Sequence, residues 1–285
     1  MVKKYLSLVK FSHTVFALPF ALTGFFLGYV RSPEIFEWRL LGLVVLCMVF
    51  ARNAAMGYNR YADRVIDAEN VRTKVREIPS GAIPASSALV FVILNGVAFV
   101  ITTYFINRLC LILSPVALAV VLGYSLTKRF TALCHLVLGL GLALAPVGAY
   151  IAVTGHFDAS PIILGAAVLT WVSGFDIIYA LQDEQFDREH HLHSIPAFLG
   201  TSKALYVSSL LHVLTAGSIA TFIHLIGGDY LAWGAAAFFI FMLAYQHFLV
   251  KPHDLSRVNL AFFTTNGIAA VVFAALVISE LLLFA

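Results

Sequence analysis

The stretch P-I-I-L-G-A-A-V-L-T-W-V-S-G-F-D-I-I-Y-A-L-Q-D-E-Q-F-D, Pro161 to Asp187, carries both an architecture and a chemistry. Its first part, 161 to 180, has Asp176 as its one charged residue. It matches the roughly 20 helical residues that cross a hydrocarbon core of about 30 Å. A membrane strand would alternate apolar and polar side chains over about ten residues, and no such alternation is present. The stretch therefore predicts a transmembrane helix. Asp176, Asp183 and Asp187 follow one another at steps of seven and four, which on a helix leaves their side chains within about 40° of one another. An acid inside such a helix costs roughly 2.5–3.5 kcal/mol on insertion scales, so Asp176 is expected to face a wet cavity and by default marks a functional site.

The same kind of run recurs on both sides. Crossings are expected at about 13 to 30, 40 to 58, 86 to 106, 109 to 126, 132 to 154, 161 to 180, 204 to 226, 230 to 248 and 259 to 284. Composition agrees: of 285 residues 61% are hydrophobic and 12% charged, with a mean hydropathy of +0.92, against about 25% charged residues in an ordinary soluble domain. A single soluble domain is excluded, because a core of this size needs a polar shell. The net charge of +3 is too small over this length to imply nucleic acid as a partner. The prediction is an all-α integral membrane protein, one domain over 1–285, built as two four-helix pseudo-repeats plus a ninth helix. The basic start with Lys3, Lys4 and Lys10 resembles a signal peptide, but without a small-residue cleavage site the first run reads as a retained helix.

Charge counting orients the bundle. With the N-terminus inside, only Arg31, Arg39 and Arg108 of the 18 Lys and Arg fall outside, a strong positive-inside bias. This predicts a multi-pass membrane protein with its N-terminus in the cytoplasm. Cys47, Cys110 and Cys134 lie within apolar runs and read as small hydrophobes.

The acids on the same side form a second stripe. N-R-Y-A-D-R-V-I-D closes the second crossing with Asn59, Asp63 and Asp67 four apart, and Asp183 and Asp187 follow Asp63 and Asp67 by 120 positions. Two carboxylate stripes repel unless a cation sits with them. Hard oxygen donors without thiolates favour Mg²⁺, commonly shared with phosphate oxygens, so a diphosphate substrate is expected. Arg72, Lys74, Arg76, Lys128 and Arg129 supply the basic side of such an anion site, the arginines being suited to bidentate phosphate contact. Arg52, seven residues before Asn59, shares its face. His190, His191 and His193 lack the spacing of a transition-metal site.

These motifs resemble those of the UbiA superfamily of intramembrane aromatic prenyltransferases, and the likeness covers nearly the whole chain. Asn59, Asp63 and Asp67 match its first motif, Arg72, Thr73 and Arg76 the R-T-x-x-R that follows, and Tyr124, Lys128 and Arg129 its Y-x-x-x-K-R. Asp176, Tyr179, Ala180, Asp183 and Asp187 match its second motif without a gap. Two positions depart from many 4-hydroxybenzoate enzymes: Arg60 follows Asn59 where they have Asp, and His193 precedes Ser194 where they often have Lys. The resemblance implies transfer of a polyprenyl group from its diphosphate to an aromatic acid, either 4-hydroxybenzoate or a dihydroxynaphthoate, in ubiquinone or menaquinone synthesis at the inner membrane of a bacterium. It implies Mg²⁺ held by Asn59, Asp63, Asp67, Asp183 and Asp187. Arg72, Arg76, Lys128 and Arg129 would meet the diphosphate, with Tyr179 in the substrate site. Asp176, with Asp63 and Asp183, would serve catalysis, and Arg52 the acceptor carboxylate. Alternatives are a haem farnesyltransferase-type enzyme and an ion-coupled transporter, although the latter predicts charges deep in several helices.

Overall fold

The computed structural model describes residues 2–9, 16–32 and 37–284. Lys10 and the first residues of the expected first crossing, 13–15, lie outside them. In chain order the helices are α1 Val2–Leu8, α2 Leu18–Arg31, α3 Trp38–Ala62, α4 Arg64–Glu69, α5 Ala85–Tyr104, α6 Arg108–Thr127, α7 Cys134–Thr154, α8 Ala159–Ala180, α9 Glu184–Glu189, α10 Ile195–Leu199, α11 Thr201–Leu225, α12 Tyr230–Leu249 and α13 Asn266–Leu283. Among the described residues there is no strand. Eight helices among the described residues are long and apolar enough to cross a membrane. They match the expected crossings to within a few residues, except at the first. There α2 is an apolar helix of 14 residues, started by Pro19 in its first turn, and falls short of the roughly 20 needed.

The chain forms two compact units, one of Met1–Thr14 and Trp38–Leu126, the other of Val15–Glu37 and Thr127–Ala285. In the first, α3 packs along α5. Gly57 admits Val92 and Phe91 at this contact, and an amide pair, Asn53 Nδ2 donating to Asn95 Oδ1 at 3.1 Å, joins the helices. Such interhelical hydrogen bonds satisfy polar groups that lipid cannot. Below them Leu8, Ile78, Ile83 and Ala88 form a small apolar cluster. With Ser7 donating to Glu77 and Lys4 to the Ala82 carbonyl, that cluster ties α1 to the 70–84 loop.

In the second unit α8 is the central helix, flanked by α7 and α11, with Leu164, Val168 and Trp171 fully buried. The Trp171 indole donates to Asn266 Oδ1 at 2.8 Å. Asn266 in turn donates to the carbonyls of Ala261 and Phe262 at 2.9 and 3.0 Å. A π-helical turn over Leu260–Thr265 opens into α13 here, and the amide takes up carbonyls that the wider turn leaves exposed. Glu280, an acid inside the last crossing, has a structural partner: its carboxylate accepts the Asp229 and Ala232 amides at 2.6 and 2.8 Å. It thereby caps the start of α12, where a helix dipole favours negative charge.

Close approach of α2 to α7 depends on Gly24, where a Cβ would run into the Pro146 carbonyl. Gly24→Ala is expected to lower unfolding free energy by about 1–2 kcal/mol. Overpacking outweighs the roughly 1 kcal/mol gain in helix propensity, and a lowered thermal midpoint in detergent checks it. Gly139 lets α7 meet α8 at the Leu169 carbonyl, whereas Gly148 on the same helix faces open space.

Candidate acid sites at two broken helix ends

Each acid stripe runs through a break in its helix. In the first unit α3 ends at Ala62, and Asp63, with φ −88° and ψ 5°, starts the six-residue α4. In the second unit α8 passes through a 3₁₀ turn, Leu181–Asp183, and Asp183, with φ −109° and ψ 7°, starts the six-residue α9. The same local geometry thus recurs at the same spacing as the acids. In both places the first Asp is the N-cap, without a side-chain capping bond, and the second is buried in the first turn: Asp67 is 5% and Asp187 0% exposed.

In the first unit Asn59 Nδ2 donates to Asp63 Oδ2 at 3.0 Å, which commits the amide nitrogen and leaves the carbonyl oxygen of Asn59 as the atom able to act as a ligand. Arg76 Nη1 donates to both oxygens of Asp67, at 2.6 and 2.8 Å. The turn that brings it back is closed by Thr73 Oγ1 donating to the Asp67 carbonyl at 3.1 Å and by the Arg72 amide donating to Asn70 Oδ1 at 2.8 Å. The R-T-x-x-R motif is therefore a loop folded back on the first acid pair. Arg52 Nη2 donates to the Val9 carbonyl at 3.3 Å, and its Nε is buried without a hydrogen-bond partner among the described residues. Arg60 is 4% exposed, with its Nε in the same state. Tyr124 on α6 lies within electrostatic range of both guanidinium groups.

In the second unit Lys128 Nζ stands 2.7 Å from Asp187 Oδ1, and Ser194 Oγ donates to Asp187 Oδ2 at 2.8 Å. Ser194 also caps α10 by accepting the Ala197 amide. The segment between them is a strap. The Leu192 amide donates to the Asp187 carbonyl at 2.8 Å and the His193 amide to the Lys128 carbonyl at 2.7 Å, with His191 at a left-handed φ of 54°. His190 stacks on Phe186. Asp183 is 8% exposed, and the Tyr179 ring lies 4.2 Å from that of Phe262. Asp176 pairs with His135, Nδ1 to Oδ2 at 2.7 Å. Arg129 belongs to the same unit.

These oxygens suit a hard divalent cation: the stripe residues offer carboxylate and amide oxygen only. Asp187 Oδ1 is a buried carboxylate oxygen that makes no hydrogen bond despite the nearby ammonium. Among the described residues no three His, Cys, Asp or Glu side chains gather into a metal site. Mg²⁺ does not require one, since it is commonly held by one or two carboxylates together with substrate phosphates.

A family model described as the UbiA prenyltransferase family matches residues 17–268. The chain belongs to that family. This UbiA chain is 29% identical over 262 residues to the 4-hydroxybenzoate octaprenyltransferase of Aliivibrio fischeri (strain MJ11), covering 89% of this chain and 88% of the relative. The apo structure of a UbiA homolog from Aeropyrum pernix K1 superposes with a TM-score of 0.81 at 29% identity, over 95% of this chain and 98% of that one. A UbiA homolog from Archaeoglobus fulgidus bound to GPP and Mg²⁺ shares the fold, with a TM-score of 0.78 at 20% identity over 98% and 100% of the two chains. The protein is accordingly a multi-pass membrane prenyltransferase.

His135 and Ser194 carry site contacts that the UbiA motifs did not assign. Ser194 was visible only as the residue after His193 in L-H-S-I-P. His135 stands 41 positions before Asp176 and gave no signal beyond being a polar residue at the start of an apolar run.

Proposed function

We propose that this prenyltransferase moves a polyprenyl group from its diphosphate to an aromatic hydroxy acid, 4-hydroxybenzoate or a dihydroxynaphthoate, in quinone synthesis. The observation that carries the reading is the recurrence, at two broken helix ends, of one acid at the N-cap and a second acid buried beside a cation. The named relative acts, by its name, on 4-hydroxybenzoate, and the name of the archaeal complex includes a prenyl diphosphate and Mg²⁺.

In this reading Asn59, Asp63 and Asp67 in one unit and Asp183 and Asp187 in the other supply Mg²⁺ ligands. The metal, when bound, neutralises diphosphate charge. Arg72, Arg76, Lys128 and Arg129 take up the charge that builds on the departing diphosphate, and pre-placed charges of this kind supply much of the rate. The allylic carbon–oxygen bond breaks, the electron-rich ring forms a carbon–carbon bond to the allylic carbon, and the displaced ring proton passes to Asp176, which also orients the acceptor hydroxyl. Arg52 binds the acceptor carboxylate, and Tyr179 lines the substrate site. Exclusion of water by the lipid-embedded helices protects the allylic electrophile. The enzyme sits in a bacterial inner membrane, with its N-terminus and both acid pairs at the cytoplasmic face, as the distribution of Lys and Arg supports.

The test is incubation of membranes carrying the full chain with geranyl or farnesyl diphosphate and a panel of 4-hydroxybenzoate and dihydroxynaphthoates, with and without Mg²⁺. Mass detection of a Mg²⁺-dependent prenylated product of one acceptor is expected. Failure of every acceptor, with diphosphate left intact, would remove the proposal.

A further inference from the structure

His135 is 3% exposed and makes two hydrogen bonds with opposite demands on its ring. Nδ1 lies 2.7 Å from Asp176 Oδ2, and Nε2 accepts the backbone amide of Ile195 at 3.3 Å. A backbone N–H can only donate, so Nε2 is the unprotonated nitrogen and Nδ1 carries the hydrogen given to Asp176. The imidazole is therefore neutral, in one tautomer, and the carboxylate is the acceptor. Its other surroundings hold it in that pose: Ser173 Oγ donates to the His135 carbonyl at 3.0 Å, and Cys134 Sγ to the His193 carbonyl at 3.5 Å.

Ile195 is the first residue of α10, and α10 is capped by Ser194, whose hydroxyl donates to Asp187. Asp187 and Asp176, the two ends of their acid stripe, are thus joined through Ser194, the Ile195 amide and the His135 ring. Asp176 keeps 22% of its side chain exposed while its histidine is enclosed. Among the described residues His135 is its only hydrogen-bond partner.

We infer that His135 is a positioning residue for prenyl transfer: its neutral ring fixes one oxygen of Asp176 and leaves the other to meet the acceptor. A neutral donor sets the orientation of the carboxylate without placing a full positive charge beside a group that has to accept a proton. With Nε2 occupied by Ile195, the ring cannot relay that proton onward, so the role is orientation and not proton transfer. The inference rests on the reading that Asp176 serves the transfer step.

The experiment uses the full chain in nanodiscs, with geranyl diphosphate and the acceptor that gives product, and compares kcat and KM for wild type, His135→Leu, His135→Asn, Asp176→Asn and the double variant His135→Leu/Asp176→Asn. Asp176→Asn retaining wild-type kcat would sink the assigned role of Asp176 itself. With Asp176→Asn impaired, His135→Leu is expected to lose about 10- to 100-fold in kcat, the range seen when a supporting hydrogen bond to an active group is removed. KM for geranyl diphosphate should stay unchanged. Asparagine, whose amide can take the place of Nδ1, should recover most of the loss, and the double variant should be no worse than Asp176→Asn alone. A His135→Leu enzyme with normal kcat, or a double variant that loses the product of the two single effects, overturns the inference. Should the leucine variant fail to fold, His135→Asn and His135→Gln decide: the first mimics Nδ1 and the second Nε2, so glutamine equal to or better than asparagine also overturns it.

Discussion

Asp183→Ala is expected to cut Mg²⁺-dependent prenyl transfer on the order of 10³-fold, the scale of losing a preorganised electrostatic group at a charge-developing centre. The structure separates this from a folding effect. Asp183 starts α9 but makes no side-chain capping bond there, so its removal spares the helix. Asp183→Asn should lose the same activity with an unchanged thermal midpoint. Because Asp63 occupies the equivalent place at the start of α4, likewise without a capping bond, Asp63→Ala should lose comparably. Normal turnover by either alanine variant, measured as product per mole of purified enzyme, would sink the metal and diphosphate assignment.

Lys128→Met should cost stability in addition to weakening the diphosphate site. The Asp187 side chain is 1% exposed, and Lys128 Nζ is the cation 2.7 Å from it. Removing one partner of a buried pair leaves an uncompensated charge, about 3–5 kcal/mol where both partners are enclosed. Lys128 is itself 35% exposed and its replacement lets water approach, so a loss of about 2 kcal/mol is expected. Unfolding in detergent measures it. Lys128→Met/Asp187→Asn should recover most of the loss, because the carboxylate that needed the cation is gone. A single variant as stable as wild type would show that the ion pair does not hold the strap from Asp187 to Ser194.

The spans and the acid stripes were legible because both are local properties. Whether a run of 20 residues crosses lipid depends on its own side chains, and residues four or seven apart share a helix face whatever surrounds them. The limits of that reasoning show at particular places. The stripe of Asp176, Asp183 and Asp187 reads as one continuous helix, yet α8 gives way to a 3₁₀ turn at Leu181–Asp183. The apolar and acidic periodicity is the same on either side of that turn, so nothing in the spacing records it. Arg76 reads as a phosphate ligand, and its pairing with Asp67 through a loop closed by Thr73 is a contact that the spacing does not record. Glu280 caps a helix that begins 50 residues before it, a contact between distant segments that no local pattern records.

From the amino-acid sequence alone came the lipid environment, the helical class, the family and the identity of the acids and bases at the helix ends. The first two follow from hydrophobic length, the acids and bases from spacing along one helix, and the family from the resemblance of their motifs. The tertiary structure decided which of those groups hold one another. His135 on Asp176 and Ser194 on Asp187 are hydrogen bonds across 41 and 7 positions, and they exist only because α7 packs along α8 and a strap brings the start of α10 back to Asp187. A hydrogen bond needs its atoms within about 3 Å, a condition that packing meets and that sequence spacing does not encode.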